Sequence, residues 1–249
     1  MPSLNETATT TAIVNGKAAT WRLAQPDSPE PAESAELPRD GSTFYSESII
    51  GTDGRTPVNE ADIRDGGKYR SIVKILSCFN DGGESVWMMG TGWLIRPDLL
   101  VTAGHVVYDW GHGYRAATQI KCYIGYKGRE SVETDICQAR YGQTIVTTAE
   151  WIQTTESRPR DVAFIKVTKP FTGNLRLFNY VDTPSKDSAT LGVVGYPGDM
   201  SYNNEKGGEM YEQFKMTEYN LNTSDRHMIR YKLSTFGGKF SIMEGRDEE

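Results

Sequence analysis

Cysteine is scarce in this sequence. There are three in 249 residues, an odd count with no C-x-x-C pair, which excludes a disulfide-dense scaffold. No apolar run approaches 18 residues, so no membrane-spanning helix is expected. Basic charge is in deficit, 27 Lys+Arg against 33 Asp+Glu for a net −6, and a nucleic-acid binder would need a basic face. The opening stretch MPSLNETATTTAIVNGKAATW lacks the basic-then-apolar layout of a secretory signal, so it leaves localisation open. No GxxxxGK[ST] loop, internal repeat or cluster of metal ligands occurs, and neither a metal nor another cofactor is expected.

What is present points to sheet. Hydrophobic residues make up 37% of the chain, and 25 Gly with 13 Tyr suit short strands joined by tight turns. Residues 1 to about 44 are rich in Thr, Ala, Ser, Glu and Pro without a period that would bury a face, and are expected to form a poorly ordered prefix. From residue 45 to 249 the composition is that of a folded domain. Strands are predicted at 71–76, 85–95, 99–107, 119–126, 162–167, 189–196 and 228–234, several alternating at period 2 and none keeping a helical period. Such short, evenly spaced strands favour an all-β antiparallel barrel or sandwich. Cys122 and Cys137 could face each other across a hairpin, but the odd count favours buried, reduced thiols.

Of three histidines, His105 stands out. It ends Gly90-Thr91-Gly92-Trp93-Leu94-Ile95 … Leu100-Val101-Thr102-Ala103-Gly104-His105, where small residues bring an imidazole to the end of a rigid β-rich run. A general base needs that support. Asp161, 56 residues on, precedes the apolar run Val162-Ala163-Phe164-Ile165, and a buried Asp accepting the Nδ1 proton of a His fixes the tautomer a base requires. His112 and His227 are expected to be a solvated loop residue and a strand-start residue.

These two segments resemble the histidine and aspartate motifs of chymotrypsin-like serine proteases. Three further runs are similar to the V8-like, glutamyl-endopeptidase branch: Ser48 to Val58, where mature chains of that branch begin; Gly192-Val193-Val194-Gly195-Tyr196-Pro197-Gly198-Asp199; and Tyr231 to Lys239, which leads to their nucleophile. The resemblance implies two antiparallel β-barrels of the chymotrypsin type with the active site between them, and residues 1–44 as a pro-segment. It also implies peptide-bond hydrolysis by a Ser/His/Asp triad, protein or peptide substrates, and an extracellular setting. His105 would be general base, Asp161 its orienter, and Gly238 an oxyanion-hole donor.

The likeness breaks off after Gly238. Where that branch continues Gly-Gly-x-Ser-Gly-Ser-Pro, this sequence has Gly237-Gly238-Lys239-Phe240-Ser241-Ile242 and stops nine residues after Phe240. Phenylalanine has no proton to surrender and no lone pair to attack a carbonyl. Ser241 is the nucleophile candidate only by elimination, since an offset of one residue along a strand turns a side chain to the other face. The second barrel is expected to be incomplete. Three readings stand together: a serine endopeptidase impaired in this chain, a catalytically inactive homologue or peptide-binding module, and an incomplete gene model of an active protease.

Overall fold

The computed structural model describes residues 12–32, 37–39, 41, 52–155, 158–179, 188–218 and 239–243. Its first half holds β1 (Ile13–Asn15), β2 (Ala18–Arg22), β3 (Thr56–Pro57), β4 (Ile72–Asp81), β5 (Glu84–Arg96), β6 (Leu99–Thr102), β7 (Tyr108–Asp109) and β8 (Arg115–Ala116). The second half holds β9 (Gln119–Ile124), β10 (Gln138–Thr148), β11 (Ala163–Val167), β12 (Ser188–Gly195), β13 (Ser201–Tyr202), β14 (Glu205–Lys206), β15 (Tyr211–Glu218) and β16 (Lys239–Met243). Two short helices interrupt them, α1 (Glu60–Ile63) and α2 (Ala149–Gln153).

Eight strands run in the order β1-β2-β10-β11-β6-β5-β4-β9, and β9 pairs again with β10, closing six of them into an antiparallel barrel. β4 is the wall between two cores. Val73, Ile75 and Phe79 point into the barrel, while Ile72 and Leu76 join Tyr123, Tyr126, Val194 and Tyr196 in a second cluster outside it. This double coverage explains why residues 72–79 are all buried instead of alternating with exposed ones. The second cluster is capped by the sheet β16-β12-β15-β3, which among the described residues is open. The fold is all-β, as composition and spacing predict.

The poorly ordered prefix needs correction over its described part. Asn15-Gly16 starts a tight turn between β1 and β2, with Gly16 at φ +60°, a left-handed conformation that favours glycine. β2 then pairs with β10, and Ala19, Trp21 and Leu23 alternate into the barrel core. Beyond it, Tyr123 Oη donates to the Pro29 carbonyl at 2.8 Å and Lys121 Nζ to that of Glu30 at 2.6 Å. Residues 13–32 are thus structurally part of the domain, and position 44 does not mark where its strands begin. Three apolar residues at i, i+2 and i+4 suffice because β10 supplies the partner strand.

The cysteines are free and buried. In the register of β9 and β10, Cys122 faces Arg140, not Cys137. Burial pushes the Cys122 thiol far up and that of Cys137 up to about 12, so both stay protonated and inert. The strand predicted at 228–234 lies outside the described residues.

Candidate active site

Glycines shape the corner that holds His105. A Cβ on Gly90 would stand 2.8 Å from Val106 Cγ1, and one on Gly92 would stand 2.6 Å from the Val101 carbonyl oxygen. Their absence lets the segment after β6 fold down onto β5. β6 stops at Thr102, whose hydroxyl donates to the Thr91 carbonyl at 2.8 Å. The predicted strand therefore ends early, and His105 sits on a 3-10 turn, Gly104–Val106. This turn swings the imidazole out of the sheet plane.

Asp161 arrives from the next strand. Ala163 of β11 pairs with Thr102 of β6, which places residue 161 beside the 3-10 turn. Two threonines hold its backbone: Thr147 Oγ1 donates to the Val162 carbonyl at 2.7 Å, and Thr148 Oγ1 to that of Arg160 at 3.0 Å. His105 Nδ1 lies 2.8 Å from Asp161 Oδ2, and the His105 backbone N–H donates to Oδ1 at 2.7 Å. Both carboxylate oxygens are engaged by one residue, which fixes ring orientation as well as distance. Their side chains are 26% and 18% exposed, open enough for a reactant to approach the ring. The pair stands at the end of strands β6 and β11 of the six-stranded barrel. An imidazole held in this way keeps its proton on Nδ1, so that Nε2 is the nitrogen that takes up a proton.

A second His–Asp pair lies seven residues further on, and it corrects the view of His112 as a solvated loop residue. His112 Nδ1 is 3.0 Å from Asp109 Oδ1 and its ring stacks on Tyr114. Asp109 is fully buried and also accepts from the backbone N–H groups of Arg39 at 2.8 Å and His112 at 2.9 Å. A carboxylate so surrounded by local amides organises its loop. The pair at 105 and 161 joins distant segments and is the candidate for chemistry.

Sequence reasoning missed the polar ties within the second sheet and between it, the β13–β14 hairpin and the barrel. The Arg55 guanidinium, its side chain fully buried, bridges Asp53 at 2.7 Å and Asp199 at 2.5 Å, and these partners hold its pKa above the usual arginine value. Lys74 Nζ donates to the Gly207 carbonyl at 2.5 Å and to Glu205 at 3.2 Å. The Tyr196 N–H donates to Thr91 Oγ1 at 3.0 Å, linking the Gly-Tyr-Pro-Gly turn to β5. An isolated lysine inside the apolar run of β4 was the one visible sign of these contacts.

Positions 240 and 241 lie on β16, Phe240 opposite Val194 and Ser241 opposite Val193 of β12. Gly238 and His227 lie outside the described residues. Among the described residues, no group of three or more His, Cys, Asp or Glu is arranged to hold a metal ion.

A six-stranded barrel carrying a His–Asp pair, with a second sheet docked on its wall, defines a chymotrypsin-like protein. The trypsin family profile, described as Trypsin, matches residues 78–236, and the chain belongs to that family. It is 27% identical over 212 residues to the Glutamyl endopeptidase of Bacillus licheniformis, covering 84% of this chain and 58% of that protein. It is 24% identical over 204 residues to a Bacillus subtilis protein named Extracellular metalloprotease, covering 81% of this chain and 58% of that protein. The chain thus spans less than two thirds of either relative's length. A solved structure of a Glu endopeptidase in complex with MPD superposes at a TM-score of 0.55 with 21% identity, over 80% of this chain and 83% of that one. Within the family, the likeness is to the V8-like branch.

Proposed function

We propose that this chain is a serine endopeptidase domain by descent, with His105 as general base, Asp161 as its orienter and Gly238 as an oxyanion donor, and with peptide hydrolysis impaired because Phe240 stands at the nucleophile's position. The observation that carries the reading is the double engagement of Asp161, by His105 Nδ1 at 2.8 Å and by the His105 backbone N–H at 2.7 Å. In such a triad the base accepts the serine proton as the hydroxyl oxygen attacks the carbonyl, and later returns it to the leaving amine. Proteins or peptides are the substrate class. Ser241 remains the nucleophile only by elimination.

The test compares peptide hydrolysis by the chain as it stands with hydrolysis by a chain whose residues 240–249 are replaced by a Ser-Gly-Ser-Pro ending plus the remaining strands of a V8-like relative. Turnover by the second that is abolished by His105→Ala supports the reading. No turnover from either chain, both folded, overturns the assignment of the base. The rival, a peptide-binding module without chemistry, is favoured by Phe240 itself.

The role of residues 1–44 as a pro-segment is part of the same proposal, with cleavage expected just before Ser48. The contacts of β2, Pro29, Glu30 and Arg39 support a segment that stays docked after cleavage. Arg39 is notable in this respect, since its carbonyl accepts from the N–H groups of Trp110 and Gly111 at 3.1 Å, close behind the turn that carries His105.

A further inference from the structure

We infer that Trp151 is a positioning residue for the His105–Asp161 pair, its indole edge setting the Gly104–His105 peptide against Asp161 and its N–H dipole stabilising the Asp161 carboxylate. The inference rests on the functional reading above and concerns a residue outside the Ser/His/Asp set.

Trp151 is the largest fully buried side chain among the described residues. It sits on α2, where its backbone N–H donates to the capping hydroxyl of Thr148 at 3.1 Å. The same threonine, through its own proton, holds the Arg160 carbonyl next to Asp161. The Trp151 carbonyl accepts from Trp110 Nε1 at 2.8 Å, and the Ala149 N–H donates to the Lys17 carbonyl at 2.8 Å. The α2 backbone that carries the indole is therefore held from three sides.

Its ring lies over Gly104. A Cβ on Gly104 would be 2.9 Å from both Cδ1 and Nε1 of Trp151 and 3.0 Å from Asp161 Oδ1. The indole nitrogen and the carboxylate oxygen thus share the space above one Cα, on the residue just before the imidazole. Nε1 is buried and has no hydrogen-bond partner. An indole nitrogen can only donate, and leaving a buried donor orphaned is destabilising. The acceptor that borders the same Cα is Asp161 Oδ1, which already takes the His105 N–H and forms no hydrogen bond with the indole. A donor dipole in the neighbourhood of that oxygen, short of a hydrogen bond, stabilises the ionised carboxylate and lowers the charge it presents to the imidazole.

With the indole N–H gone, the carboxylate holds an imidazolium more strongly, so the pKa of His105 rises. The experiment follows His105 by proton NMR in the full chain and in Trp151→Phe, which keeps an aromatic ring but no donor. A rise on the order of half a pH unit is expected in the variant. A second measurement reads the indole itself. In ¹⁵N-indole-labelled protein, the Trp151 N–H proton, assigned among five tryptophans by its loss in Trp151→Phe, should move upfield in Asp161→Asn. An unchanged His105 titration or an unmoved indole proton in folded protein overturns the inference and leaves Trp151 as packing alone. If Trp151→Phe does not fold, the indole shift decides, assigned by elimination with the other four tryptophans replaced singly. Failure of the functional reading is distinguishable, because the unmodified chain would then lack a far-downfield His105 Nδ1–H resonance.

Discussion

Trp21 offers the sharpest check on the place of the N-terminal segment. A disposable leader would tolerate its loss, whereas a barrel strand would not. The side chain is 2% exposed, meets Tyr108 edge-to-face at 6.4 Å, and donates through Nε1 to the Ala117 carbonyl at 3.0 Å. Trp21→Ala removes a core indole, at about 3–5 kcal/mol, and leaves the Ala117 carbonyl without that donor, at about 1 kcal/mol more. Against a typical domain stability of about 5–15 kcal/mol, this is a large share. With a urea slope near 2 kcal/mol/M, the midpoint should fall by about 2–3 M. Far-UV circular dichroism is the readout, because tryptophan fluorescence changes with the substitution itself. Val14→Ala, on the exposed side of the same hairpin, is the control and should stay within about 0.5 kcal/mol of the parent. Equal midpoints for Trp21→Ala and Val14→Ala would refute the strand's role.

Two other perturbations follow from the same contacts. Burial holds Lys74 at about 8, with Glu205 opposing the shift, so between about pH 8 and the ordinary lysine value the unfolded chain binds more protons and stability from this group rises with pH. Glu205→Gln leaves a buried cation without its partner and should cost about 3–5 kcal/mol at pH 7. That deficit shrinks above pH 8 as Lys74 loses its proton, and urea melts showing an equal deficit at pH 7 and 9.5 would contradict it. Gly104→Ala drives a Cβ against Trp151 and Asp161, with an expected cost of about 1–3 kcal/mol and loss of the downfield His105 proton resonance. An unperturbed melt would mean that the corner is looser than its geometry implies.

Most of the barrel was legible in the sequence because its strands carry dense apolar patterns, as in β4, β5 and β11. β10 was not, since QARYGQTIVTT mixes polar residues with a register shift between Gly142 and Thr144, where Gly142 makes room for Leu23 and Ile120. The hairpin at Asn15-Gly16 carried a readable turn signal, but it lay within a Thr- and Ala-rich stretch whose composition suggested disorder. His105 and Asp161 were readable because each lies in a short local motif, although the 3-10 turn that aims the imidazole was not. Trp151 and Arg55 escaped for a physical reason. Their partners lie far along the chain, Asp199 being 144 residues from Arg55, and no local period records a contact of that range.

In the proposed reading, the base and its orienter are in place while the nucleophile is not. The direct measurement is covalent labelling with a fluorophosphonate, which reacts with a serine oxygen activated by a neighbouring base, read by mass spectrometry of peptides spanning residues 239–243. No label on the chain as it stands is predicted, with label on the new serine once residues 240–249 are replaced by the Ser-Gly-Ser-Pro ending and its following strands. Label on Ser241 of the unaltered chain, lost in His105→Ala, would contradict the claim and establish a working nucleophile beside Phe240.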